Sequence, residues 1–103
     1  MATGILGQAS PAATTNTTVY TVPASTTATF NVSIVNTTAA YITIRLAVSA
    51  TTSPTSNEYL EYDVLLQPNG VLERTGIVAQ ATKNVVVYAS ATGLSVSVYG
   101  YEE

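Results

Sequence analysis

Glu58, Glu61 and Asp63 form the one acidic grouping in this chain. On an extended strand, the two-residue period would set Glu61 and Asp63 on the same face about 7 Å apart. Paired carboxylates can cleave glycosides or hold Ca²⁺. The same pattern also describes a solvated strand face whose charge discourages edge-to-edge pairing, and this is the expectation here. The chain has no His and no Cys, so the commonest general base, the thiolate nucleophile and the usual zinc ligands are missing. Ser and Thr are abundant, but a hydroxyl attacks only when a positioned base takes its proton. Lys83 and the carboxylates are the only candidate bases, and no nucleophile elbow is present. The six glycines never cluster into a phosphate-cradling loop. The expectation is a protein that is not an enzyme, with no catalytic residue, no cofactor and no bound metal.

Tyrosine is the other residue type with a chemical meaning. There are seven, Tyr20, Tyr41, Tyr59, Tyr62, Tyr88, Tyr99 and Tyr101, beside one Phe and no Trp. Tyr is rigid and amphipathic, which suits protein interfaces and sugar-binding surfaces, but it is also a good strand residue. Strand alternation turns Tyr41, Tyr59, Tyr99 and Tyr101 outward, so these four lean toward contact with a partner. Asn16, Asn31 and Asn36 each open an Asn-x-Ser/Thr triplet, a match that arises by chance in so Thr-rich a chain.

The elements that must position these residues are strands. With 103 residues there is material for one core. Hydrophobic residues make up 47% and charged residues only 9%, so the surface is neutral and rich in hydroxyls. Arg45, Arg74 and Lys83 are the only basic residues, too few for a nucleic-acid footprint or a polybasic membrane anchor. No apolar run approaches the ~20 residues of a spanning helix. The opening Met1-Ala2-Thr3-Gly4-Ile5-Leu6 lacks a basic leader and an apolar stretch of signal-peptide type, which predicts synthesis in the cytosol.

Residues 1–16 carry Ala, Thr and Gly with only Ile5 and Leu6 as bulky apolar groups, and read as an extended or flexible N-terminal arm. From residue 17 to the end a period of two prevails, the mark of half-buried strands. Residues 17–22 end at Pro23. Residues 27–36 place Ala28, Phe30, Val32 and Ile34 on one face. The next run alternates Ile42, Ile44, Leu46 and Val48 against Tyr41, Thr43, Arg45 and Ser49, and a loop at 50–57 follows. Residues 58–66 would turn Leu60, Tyr62, Val64 and Leu66 inward. Gln67-Pro68-Asn69-Gly70 is a strong turn signal and predicts a hairpin into 71–78, where Gly76 marks a bulge. Residues 85–90 and 94–101, joined by Ala91-Thr92-Gly93, predict a second hairpin. About seven strands and no helical period imply an all-β domain over 17–103, an antiparallel two-sheet β-sandwich of jelly-roll or immunoglobulin-like type.

Three stretches carry a resemblance. They are Leu6-Gly7-Gln8-Ala9-Ser10-Pro11 through Thr18-Val19-Tyr20-Thr21-Val22-Pro23, the central Tyr59-Leu60-Glu61-Tyr62-Asp63-Val64, and Val85-Val86-Val87-Tyr88-Ala89-Ser90 through Val98-Tyr99-Gly100-Tyr101-Glu102-Glu103. Together they resemble small virion structural proteins of tailed bacteriophages, particularly those of cyanobacterial and other aquatic hosts. The resemblance implies a capsid decoration or cement protein that sits on the exterior of the virion capsid, made in the host cytoplasm. It would bind the major capsid protein and itself, as a dimer or trimer, with no nucleic-acid or membrane partner. Candidate interface residues are Ile5, Leu6, Pro11, Tyr41, Pro54, Tyr59, Tyr99 and Tyr101, with the arm and the 50–57 loop gripping the shell. The alternative is a tail- or fibre-associated host-surface module that binds carbohydrate through exposed tyrosines and the Glu58, Glu61, Asp63 group, with Ca²⁺ as a further ligand.

Overall fold

The computed structural model describes residues 2–103, and Met1 lies outside the described residues. Among the described residues, eight strands form two antiparallel sheets of four, with no helix: β1 (Thr3–Ala9), β2 (Asn16–Thr21), β3 (Ala28–Asn36), β4 (Ile42–Ser49), β5 (Tyr59–Leu66), β6 (Val71–Ala79), β7 (Asn84–Ala89) and β8 (Leu94–Glu102). The order is β1-β8-β3-β6 in one sheet, called sheet I, and β2-β7-β4-β5 in the other, sheet II. Strand pairs 1 with 8, 2 with 7, 3 with 6 and 4 with 5 are all antiparallel. The chain is thus one long hairpin, doubled back at the 50–58 loop. Rolling it up adds the β3–β8 and β4–β7 pairings. This is the jelly-roll order, not the immunoglobulin one, whose hairpins lie within sheets.

Three expectations are corrected by this topology. There are eight strands, not seven, because residues 3–9 of the expected arm are β1, hydrogen-bonded along β8. That strand is invisible to periodicity. A bulge at Leu6 breaks its alternation, Gly4 and Gly7 supply no side chain, and its pairing is entirely with a segment about ninety residues away. Gly7 is required by a close approach: a Cβ there would lie 2.3 Å from the carbonyl oxygen of Val19 in sheet II. The two expected hairpins are also absent. The turn at 67–70 closes as foreseen, with Gly70 N–H donating to Gln67 O at 2.9 Å and Asn69 at φ 58°. It links β5 of sheet II to β6 of sheet I, however, and the 90–93 turn likewise joins β7 to β8 across the sandwich.

The alternation read from residues 27–36 holds along β3, with Ala28, Phe30, Val32 and Ile34 fully buried. Ile42, Ile44 and Leu46 meet them from sheet II, with Val85 and Val87 beside them, and Leu94, Val96 and Val98 complete the sheet I side. Tyr20 packs edge-on to Phe30 with ring centroids 6.0 Å apart. Its hydroxyl donates to Glu102 at the rim, and burial with that bond raises its pKa well above the ordinary phenol value. Asn36 is buried yet satisfied. Its amide donates to the carbonyls of Ala40, Leu66 and Gln67, and its oxygen accepts from Thr38. That single side chain ties the ends of both sheets together, which is a structural role for one of the three Asn-x-Ser/Thr matches.

β5 departs from its expected face assignment. Asp63 takes a left-handed backbone at φ 52° and sits in a bulge, since Ile44 pairs with Val64 but Leu46 pairs with Glu61. Asp tolerates that conformation better than most residues. The bulge reverses the phase: Val64 and Leu66 stay on the core side, whereas Tyr62 is exposed on the outer face. Glu61, opposite the inward Leu46, turns toward sheet I and pairs with Arg74 of β6 at 2.7 Å, which bridges the open side of the sandwich.

Candidate functional site

The structure separates the acidic grouping instead of uniting it. Glu61 is tied to Arg74, and Asp63 is tied to Arg45 of β4 at 2.6 Å. Glu58 is consumed by the loop it closes, accepting from Ser49 Oγ (2.8 Å), Ala50 N–H (3.1 Å) and both Thr55 N–H (2.9 Å) and Thr55 Oγ1 (3.2 Å). The Thr55 and Ala50 amides, then the Ser49 hydroxyl, hold its carboxyl down at about 2. Among the described residues no group of three or more His, Cys, Asp or Glu side chains is placed to hold a metal ion. The paired-carboxylate reading, with Ca²⁺ or without, is therefore withdrawn for this trio. Its cause is the Asp63 bulge, which destroys the two-residue spacing that the reading assumed.

What remains is two outer faces of different character. On sheet I the pleat turns Thr3, Ile5 and Gln8 of β1 outward beside Tyr101, Tyr99 and Ser97 of β8. Thr29, Asn31, Ser33 and Val35 of β3 follow, then Val78, Glu73 and Val71 of the edge strand β6. Ile5, Val71 and Val78 are each more than half exposed and Tyr101 is 44% exposed. Glu73 is the one charged side chain on this face among the described residues, and the Tyr99 hydroxyl donates to it at 3.0 Å. That bond raises the Tyr99 pKa. The face is a neutral sheet of hydroxyl, amide and apolar groups.

Sheet II carries a shaped site. Tyr59 and Tyr62 meet edge to face, centroids 4.8 Å apart at 74°. With Pro54 and Ser56 from the 50–58 loop they line a cleft of about 560 Å³. Behind Tyr62 the Arg45 guanidinium lies between two rings, 4.4 Å from the Tyr62 centroid and 4.6 Å from that of Tyr88 on β7. The bond to Asp63 neutralises it and pushes its pKa further up. Ala47 and Val86, cross-strand neighbours on this outer face, are almost completely buried, and Tyr59 is the cross-strand neighbour of Ala47 on the other side. The outer face of sheet II is thus partly a second, smaller core that seats the cleft.

The candidate interface residues divide accordingly. Ile5, Tyr99 and Tyr101 come together on sheet I, while Pro54 and Tyr59 come together on sheet II. Tyr41 stands alone and 61% exposed just before β4. Leu6 is partly buried, packed against the core from the β1 bulge, and Pro11 is buried in the connection to β2. Tyr62, Tyr88, Ser56 and Arg45 were not singled out from sequence. Strict alternation gave Tyr62 to the core, and only the bulge returns it to the surface. The chain matches no family model, and neither a curated protein nor a solved structure matches it.

Proposed function

We propose that this chain is a virion structural protein of a tailed bacteriophage, a capsid decoration or cement protein that seats the outer face of sheet I on the capsid exterior and bridges neighbouring capsomers. The observation that carries the reading is the sheet I face itself: Ile5, Tyr101, Val71 and Val78 exposed, with the half-buried Tyr99 among them, on a face whose single carboxylate is already engaged. Exposed apolar side chains on a nearly uncharged face are desolvated at modest cost, and rigid tyrosines make contact at low entropic cost. The resemblance to phage structural proteins supplies the partner, a major capsid protein, with further copies of the chain beside it. Gripping by an N-terminal arm drops out of the account, because residues 3–9 are already engaged as β1.

The mechanism is linkage. A protein that binds only the expanded shell stabilises that state by mass action, with no chemical step. Co-sedimentation with purified expanded and unexpanded capsids tests it. Retention on expanded capsids alone is expected, and Tyr101→Lys should weaken it by roughly 30-fold, the scale of a ~2 kcal/mol interface anchor. Unchanged retention of that variant would remove sheet I from the account. The aromatic cleft favours a second reading, a carbohydrate-binding module of a tail or fibre.

A further inference from the structure

From the cleft on sheet II we infer a metal-free site for a neutral pyranose, the sugar stacking on one tyrosine ring and hydrogen-bonding at the other. The inference does not depend on capsid docking, and it gives the carbohydrate reading a defined site and ligand class. Three features of the cleft carry it.

The first is shape. Tyr59 and Tyr62 stand at 74° with centroids 4.8 Å apart, so two aromatic rings of different inclination line the cleft. A pyranose presents an apolar C–H face and an equatorial rim of hydroxyls at about the same angle. The cleft volume of about 560 Å³ falls in the range of small-molecule sites, which run roughly 300–1,000 Å³. A polyproline peptide would need a groove continuing past several residues between parallel ridges. Here four residues, Pro54, Ser56, Tyr59 and Tyr62, line the cleft.

The second is charge. The ionised groups around the cleft already have partners within the protein: Asp63 and Arg45 offset each other, and the Glu58 carboxylate has its acceptor positions taken up by loop amides and hydroxyls. Among the described residues no ionised side chain beside the cleft is left without a partner and no cluster is placed to hold a metal, so a charged ligand would have to compete with bonds already made, which favours a neutral one. Polar groups remain in the lining, in the side chains of Ser56, Tyr59 and Tyr62.

The third is preorganisation. The loop that supplies Pro54 and Ser56 is pinned at both ends by Glu58, and Tyr62 is backed by the Arg45 guanidinium. A site held in its bound shape loses little entropy on binding.

The probes are maltose, cellobiose, lactose and N,N′-diacetylchitobiose, titrated into the ¹⁵N-labelled protein. At least one should shift the amides of residues 54–62 with a Kd of ~1 mM, unchanged by EDTA or by added salt. Tyr59→Ala should weaken that binding about tenfold and Tyr62→Phe much less, while Tyr101→Lys leaves it intact. The inference is overturned by four disaccharides that leave 54–62 unmoved, by binding that EDTA abolishes, or by a Tyr59→Ala protein, its core amides in place, that binds as tightly as the parent. Preferential binding of a proline-rich peptide also overturns it. Should Tyr59→Ala unfold, the parent titration and Tyr62→Phe decide alone. Capsid retention is read separately, so failure of the sugar site and failure of shell docking are distinguishable.

Discussion

The two sheets share one core and one strand count, yet their outer faces differ in kind. Sheet I is open and nearly uncharged, with uninterrupted pairing of β3 and β8 at its centre and one bulge in each of its edge strands, β1 and β6. Sheet II is irregular, with two register shifts between β4 and β5, a charged pair between aromatic rings and a loop folded back on Glu58. Regular pairing yields a broad surface suited to a broad partner. Bulges and a locked loop yield concavity, which a small ligand needs. The lesson is that local breaks in the ladder, more than the fold, decide what each face can bind.

The largest expected effect comes from removing what both faces share. Phe30 is fully buried between the sheets, and Phe30→Ala should cost about 3–5 kcal/mol in urea unfolding, a large part of the stability of a domain this size. Both faces should weaken together. Next comes Gly100→Ala, where a Cβ would lie 2.1 Å from Thr29 O and 2.6 Å from the Phe30 Cα. Forcing β8 from β3 should cost about 1–3 kcal/mol. It should disturb sheet I amides first, and a disturbance confined to sheet II would break the comparison.

The smallest effect is confined to sheet II. Glu58 is held near 2 instead of 4.5, so its ionised form stabilises the fold fully above pH 4.5, and that contribution fades as pH falls toward 2. Hydrogen exchange of residues 50–57 should therefore accelerate on acidification below pH 4.5, with sheet I amides unaffected. Glu58→Gln should reproduce the loosening at neutral pH and abolish its acid dependence. Equal loosening of both faces would mean that the loop is not an independent unit.

The sequence made the middle of each sheet legible and its edges obscure. β3 and β4 sit between two neighbours, so Phe30, Ile34, Ile42 and Ile44 must alternate, and the two-residue period reports their burial faithfully. β1, β5 and β6 are edge strands, where bulges are tolerated, and the bulges at Leu6, Asp63 and Gly76 each shift the phase that a reader of alternation depends on. The turn at 67–70 was readable as a turn because Pro68 and Asn69 constrain their own backbones. Nothing local says whether a turn returns within a sheet or crosses to the other one, and here it crosses. The cleft was half legible. Tyr59 and Pro54 stood out, but Tyr62 depends on the positive φ of Asp63, and its contact with Arg45 on one of relative strand positions.

Cryo-EM of expanded capsids incubated with the protein tests the central claim most directly, because it reads which face meets the shell. The account predicts density with Tyr99 and Tyr101 against the capsid surface and the Tyr59–Tyr62 cleft pointing to solvent. Sheet II seated on the shell, or bare capsids at saturating protein, would contradict it.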